Sequence, residues 1–289
     1  NSRLWYYGNM KYQTLYNGVK IPMIGVGTYR INDDGRGIDL IKYAIQSGYR
    51  LIDTAQVYFN EGLVGQAIKE SGIPREEIFI TTKIHFKTNS DPIPRLEESF
   101  KKLGTDYIDL VLIHWPFGDY YNAWRVLEHY YEIGKIKAIG VSNFDVPRII
   151  DLVHFAKIPP MVNQIEVNVY AQRPEELEWF KKYNIVVQAH SPLGHGKLPN
   201  LVNEEILTRI GKKYNKTGAQ ISLKFLTQLG IVVLPKTSHE YRMDENKDIF
   251  DFELSEEDIN EIRKLNTNDP LLGRPNDPKT IIKLLEKDD

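Results

Sequence analysis

The chain has 289 residues, 42% hydrophobic and 26% charged, which is enough apolar material for a full core and excludes a mainly disordered protein. Its 37 basic and 39 acidic residues leave a net charge of −2, which argues against nucleic acid as the main partner. Cysteine is absent, which excludes a disulfide framework, a thiolate nucleophile and a cysteine-bound metal, and favours a cytoplasmic setting.

Residues 1–9 mix polar and aromatic side chains without the apolar stretch of a signal peptide. They read as a leader or a loosely held extension, and residues 10–289 as a single domain. No apolar run approaches the roughly 20 residues that cross a bilayer, so no membrane partner is expected. Tyr12 to Met23 holds Asn17-Gly18 between two alternating stretches, the signal of a type I′ hairpin. Eight short apolar runs follow: Ile24-Gly25-Val26, Arg50-Leu51-Ile52, Ile78-Phe79-Ile80, Tyr107 to Ile113, Ile136 to Val141, Met161 to Ile165, Ile185 to Ala189, and Ile231 to Leu234. Most lack strict alternation, as strands covered on both faces do.

The stretches between the runs carry helix signals. Ile93, Leu96, Phe100 and Leu103 form one apolar stripe. Arg173-Pro174-Glu175-Glu176 opens a helix with proline and acids at its positive end. Gly48, Gly72, Gly104 and Gly134 stand where helices should stop. Asn215-Lys216-Thr217 fits the glycosylation triplet and reads as chance. Eight alternating βα units predict an α/β fold of the (β/α)8 TIM-barrel type, with the N-terminal hairpin closing its bottom. The rival is a doubly wound open sheet with a glycine-rich phosphate loop. Gly25-Val26-Gly27-Thr28 lacks the third glycine and the helix start that such a loop needs.

Chemistry in such barrels lies at the C-terminal ends of the strands. Those ends read Gly27-Thr28-Tyr29, Asp53 with Tyr58 after it, Lys83 and His85, His114-Trp115, Ser142-Asn143, Gln164, His190-Ser191, and Lys236-Thr237-Ser238. Each has an ordinary structural reading: Asp53 as a helix cap, Lys83 as a surface lysine, His114 as a satisfied core histidine, Tyr58 as packing. A barrel nevertheless gathers Asp53, Lys83 and His114 at one mouth. His239-Glu240 is not followed by the second histidine of a zinc helix, and there is no cysteine to form a metal cluster. Gly194-His195-Gly196-Lys197 is too short for a phosphate loop and reads as a flap.

On these motifs the sequence resembles the aldo-keto reductases. The matching stretches are Asp53-Thr54-Ala55-Gln56-Val57-Tyr58, Thr82-Lys83, Leu112-Ile113-His114-Trp115-Pro116, Gly140-Val141-Ser142-Asn143-Phe144, Asn163-Gln164, Ser191-Pro192-Leu193-Gly194, and Pro235-Lys236-Thr237 continuing through Arg242 and Glu245-Asn246. They run in family order from about residue 12 to 265, and the short tail is similar to microbial members. The resemblance implies hydride transfer from NADPH to a small-molecule carbonyl, with Tyr58 as proton donor. Lys83, paired with Asp53, is expected to lower the phenol pKa, and His114 to bind the carbonyl oxygen.

The same resemblance implies the cofactor contacts. Gly27, Thr28 and Tyr29 line the first strand end. Ser142, Asn143 and Gln164 hold the carboxamide, Asp53 the ribose, and Ser191 and Leu193 the pyrophosphate. Lys236, Thr237, Ser238 and Arg242 surround the 2′-phosphate, which favours NADPH over NADH, and Glu245 and Asn246 take the adenine. Tyr29, Val57, His85, Trp115 and Phe117 should line the substrate mouth. His190 stands where many members stack a tyrosine or tryptophan on the nicotinamide, and its imidazole can titrate near neutral pH. His85 stands where many animal members place an aromatic residue. The expected product is a monomeric, cytoplasmic, metal-free reductase. The competing readings are a non-catalytic, cofactor-binding relative that senses redox state, and a metal-dependent barrel hydrolase.

Overall fold

The computed structural model describes residues 11–194, 201–270 and 274–287. Two strands, β1 (Tyr12–Thr14) and β2 (Lys20–Pro22), form an antiparallel hairpin. Eight parallel strands follow: β3 (Val26–Gly27), β4 (Leu51–Asp53), β5 (Phe79–Ile84), β6 (Ile108–Ile113), β7 (Ile136–Ser142), β8 (Val162–Glu166), β9 (Val186–His190) and β10 (Val232–Leu234). Each starts within two residues of a run read from the sequence, and all end within two except β5, which runs four residues past Ile80. They pair in chain order from β3 to β10. Closure comes from a parallel bridge between Ile24 and Val233, with the Gly25 N–H donating to Val233 O at 2.9 Å and the Gly27 N–H to Pro235 O at 3.2 Å. A sheet closed in this way has no open edge, which is the barrel solution to edge exposure.

Between and after the strands lie α1 (Gly37–Gln46), α2 (Glu61–Glu70), α3 (Ile93–Leu103), α4 (Tyr120–Glu132), α5 (Val146–Phe155), α6 (Pro174–Lys182), α7 (Glu205–Tyr214), α8 (Gly218–Gln228), α9 (Glu240–Lys247), α10 (Glu256–Arg263) and α11 (Pro278–Leu285). The strands bury Ile52, Ile80, Leu110, Val111, Ile139 and Val233 completely. α3 shows the helix logic. Leu96, Phe100 and Leu103 are buried as the stripe predicts, while Ile93 at the first turn stays exposed. Gly104 ends α3 in the left-handed region at φ 65°, where a side chain would be strained. α6 starts on Pro174, and Glu176 also pairs with Arg173 at 2.6 Å. No described helix is long and apolar enough to cross a membrane.

The hairpin turn departs from the type I′ expectation. Gly18 has φ 89°, but Asn17 is not left-handed. The Gly18 N–H donates to Leu15 O at 2.9 Å and the Leu15 N–H to Val19 O at 2.8 Å, which is a three-residue loop with a glycine bulge. The Asn17 side chain explains the choice. Its amide reaches Lys137 O at 3.1 Å and Tyr131, and its oxygen accepts from the Val19 N–H. Gln13 donates to Gly230 O at 3.0 Å and Tyr16 to Pro159 O at 2.5 Å. Lys137, Pro159 and Gly230 open or precede β7, β8 and β10, so the hairpin covers the N-terminal end of the barrel and leaves the C-terminal mouth clear.

Candidate active site

Asp53 closes β4, and Lys83 lies on β5 two residues beyond Thr81, its register partner. Alternation puts both side chains inside the barrel. Lys83 Nζ contacts Asp53 Oδ1 at 2.6 Å, donates to Thr54 O at 2.9 Å and reaches the Tyr58 hydroxyl at 3.4 Å. Lys83 is fully buried, so its charge depends on these partners. Burial works against the ammonium, but Asp53 and Tyr58 outweigh it and hold the pKa above the ordinary lysine value.

Tyr58 ends the short 3₁₀ turn Gln56–Tyr58 that follows β4. Burial of the phenol raises its pKa above 10, Asp53 adds to the rise, and the Lys83 charge opposes both. Lys83 does act to lower the phenol pKa as expected, but lost hydration outweighs this one cation, which is already paired with Asp53. Tyr58 keeps its proton, the form a proton donor needs. His114, directly after β6, places its ring 5.9 Å from that of Tyr58 and nearly perpendicular to it. Burial drives the His114 pKa well below the ordinary imidazole value, and the Lys83 charge adds to the effect. A neutral imidazole results.

The turn that aims Tyr58 is held by residues the sequence reading overlooked. Buried Asn60 donates to Thr28 O at 2.8 Å and Ile31 O at 3.0 Å, and accepts from Thr54 Oγ1 at 2.6 Å. Gln56 accepts from the His85 N–H and donates to Ser99 Oγ, both at 3.0 Å. Buried polar residues flanking Tyr58 were the available signal. Thr28 donates its hydroxyl to Asp53 O at 2.8 Å, which fixes the end of β4 against that of β3.

A second polar group lies on β7, β8 and β9. Asn143 is held left-handed at φ 60° and donates to His114 O at 3.0 Å and Ser142 Oγ at 3.3 Å. Ser142 Oγ donates to Gln164 O at 2.8 Å. Gln164 Nε2 donates to Asp53 Oδ2 at 2.8 Å and to Gln188 Oε1 at 3.0 Å. His190 sets Nδ1 3.1 Å from Ser191 Oγ and Nε2 3.2 Å from Asn143 Oδ1. The sequence reading included Asn143, Gln164 and His190 but overlooked Gln188. Its signal was a lone polar residue in an apolar run, two residues before His190.

The third group follows β10. Lys236 is half-buried, Thr237 buried, and Ser238 and Arg242 exposed around the start of α9. The Thr237 hydroxyl accepts from the His239 N–H at 3.1 Å, and Arg242 lies over the Tyr241 ring at 5.6 Å. The Glu245 carboxylate accepts from Thr217 at 2.5 Å, and Asn246 is buried beside it in sequence. A β-carbon on Gly27 would lie 3.5 Å from Lys236 Cβ, so β3 approaches this group closely. Gly194 is described, whereas His195, Gly196 and Lys197 of the expected flap lie outside the described residues, as do residues 1–10.

At the mouth, Tyr29 sits 5.2 Å from Tyr58, ring to ring. Trp115 and Phe117 stack at 5.6 Å, and Phe86, which the sequence reading left out, meets Phe117 edge-on at 5.7 Å. Val57 is half-buried. His85 is only 2% exposed, and its Nδ1 accepts from the Lys87 N–H at 3.0 Å. That nitrogen is committed to the backbone and offers little to the polar wall expected there.

The family model described as "Aldo/keto reductase family" matches residues 23–267. The chain is 43% identical over 266 residues to a glyoxal reductase of Bacillus subtilis, covering 91% of this chain and 95% of that one. It is 38% identical over 254 residues to a methylglyoxal reductase of Yersinia pestis, covering 87% and 91%. Among solved structures it resembles an aldo-keto reductase from a Medee basin deep-sea metagenome library, with a TM-score of 0.86, 43% identity, and 91% and 98% of the two chains covered. A Bombyx mori aldo-keto reductase in complex with NADP gives a TM-score of 0.86 at 33% identity, covering 95% and 97%.

Proposed function

The chain belongs to the aldo/keto reductase family, and from that membership we propose that it is an NADPH-dependent reductase of small aldehydes and ketones, with Tyr58 as the proton donor. The observation that carries the residue assignment is Lys83, buried at the barrel mouth between Asp53 at 2.6 Å and the Tyr58 hydroxyl at 3.4 Å. Tyr58 passes its proton to the carbonyl oxygen, and the Lys83 ammonium steadies the phenolate left behind. Asp53 keeps Lys83 charged. Neutral His114 offers an N–H to the same oxygen and orients the substrate.

The donor set fits a dinucleotide carrying an extra phosphate. Two amides and a hydroxyl, from Asn143, Gln164 and Ser142, meet at the ends of β7 and β8 and suit a carboxamide. Lys236, Thr237, Ser238 and Arg242 gather two cations and two hydroxyls near the start of α9 and suit the 2′-phosphate. NADPH supplies the hydride when bound, and the protein positions and protonates. A family relative solved with NADP supports this cofactor. Relatives named for glyoxal and methylglyoxal put small dicarbonyls first among candidate substrates. The aromatic wall of Tyr29, Trp115 and Phe117 also suits aryl aldehydes. Near-neutral charge supports action without a nucleic-acid partner, and the lack of cysteine supports a cytoplasmic setting.

The test is loss of NADPH absorbance with glyoxal, methylglyoxal, an aldose and an aromatic aldehyde. Turnover with at least one of them is expected. Firm NADPH binding without turnover on any would contradict the catalytic reading.

A further inference from the structure

Gln188 sits in the middle of β9, two residues before His190 and therefore on the same inward face. It is fully buried, with Val186, Val187 and Ala189 as its strand neighbours. Its oxygen accepts from Gln164 Nε2 at 3.0 Å, while the same nitrogen donates to Asp53 Oδ2 at 2.8 Å. Both N–H groups of the Gln164 amide are thereby used. An ionised carboxylate can only accept, so this pairing turns the Gln164 nitrogen inward and its oxygen away from both partners. Gln188 must in turn point its own oxygen at Gln164, and its buried Nε2 then has no hydrogen-bond partner among the described residues. A leucine would avoid that cost, so the amide at this position calls for an explanation.

We propose that Gln188 is a positioning residue that fixes the orientation of Gln164, so that the Gln164 amide oxygen is presented to the carboxamide N–H of nicotinamide. The inference rests on the NADPH reading of the site. The last torsion of a glutamine is soft, so a Gln164 held only by Asp53 swings more freely about that single bond. A second anchor removes the swing before the cofactor arrives, which is preorganisation. Gln188 itself touches neither cofactor nor substrate in this scheme. Its effect is confined to the nicotinamide end: its register partner on β10 is Val232, four residues before Lys236.

The test compares two probes on the full chain: NADPH, and 2′,5′-ADP, which has the phosphorylated adenosine but no nicotinamide. Gln188→Leu should weaken NADPH binding about two- to tenfold, the worth of one hydrogen bond, and leave 2′,5′-ADP binding unchanged. Gln188→Glu, kept protonated by burial and by the nearby Asp53 carboxylate, still offers a carbonyl oxygen to Gln164 and should restore most of the NADPH affinity. Should Gln188→Leu fail to fold, Gln188→Met removes the acceptor with an unbranched chain and must show the same split. Equal weakening of both probes, or no weakening of NADPH, would overturn the positioning role. A wild-type chain that binds neither probe would overturn the cofactor reading, and this inference with it.

Discussion

At His114 and Tyr58 burial outweighs the charged neighbours, whereas at Lys83 the partners Asp53 and Tyr58 outweigh burial. His114 shows the effect of burial most plainly. Its pKa in the folded chain lies well below 6.5, because burial and the Lys83 charge disfavour the imidazolium. The unfolded chain therefore binds more protons at this position, and stability must fall as pH drops below about 6.5. The slope contributed by one such group is at most about 1.4 kcal/mol per pH unit. Urea unfolding between pH 7.5 and 5.5 should show a steeper loss in the wild type than in His114→Gln. Equal slopes would mean that His114 charges as freely in the folded chain as in the unfolded one. The same principle explains the net rise at Tyr58. Sequence names the cation beside a phenol, but it does not say how much water the fold removes from the phenol. Asp53, Tyr58, Lys83 and His114 were legible as a group because each stands at or just after a strand end. Gln188 and Asn60 were not, because their roles exist only through partners 24 and 32 residues away in the chain.

Elements carry the cofactor preference. Lys236 follows the end of β10 by two residues and Arg242 lies in the first turn of α9, so on the proposed reading one strand end and one helix start would together meet the phosphate group. Replacing Lys236 or Arg242 by alanine should raise the NADPH dissociation constant about 10- to 100-fold and change NADH binding little. Fluorescence titration with both cofactors checks this, and equal losses would place the two side chains in the fold and not in recognition. At the next element, the end of β9, His190 binds Ser191 and Asn143 in the ring plane. Those bonds orient the ring but leave its faces to other contacts, so the sequence-level idea of a stacking imidazole is compatible with them. The hairpin records what local reading misses. Asn17-Gly18 announced a tight turn, but Asn17 was claimed by Tyr131 and Lys137, more than a hundred residues away, and the turn type changed with it.

At the scale of the whole molecule, the alternation of apolar runs and helical stripes was enough to read the barrel, because two-sided burial imposes uninterrupted apolar strands. The hairpin end and the chemical end were also legible, since chain polarity puts every strand terminus on one side. The substrate was not, because it depends on loops such as Phe86–Thr88 and on segments whose packing no periodicity encodes. The barrel's consequence is a division of labour: strand ends fix Asp53, Lys83 and His114, while a pinned turn presents Tyr58. The measurement that tests this most directly is the turnover of Tyr58→Phe under conditions limited by chemistry, alongside its NADPH dissociation constant. Turnover should fall about 10²- to 10⁴-fold, the usual contribution of a placed general acid, with NADPH binding within twofold of wild type. A variant that keeps more than a tenth of wild-type turnover would contradict the account.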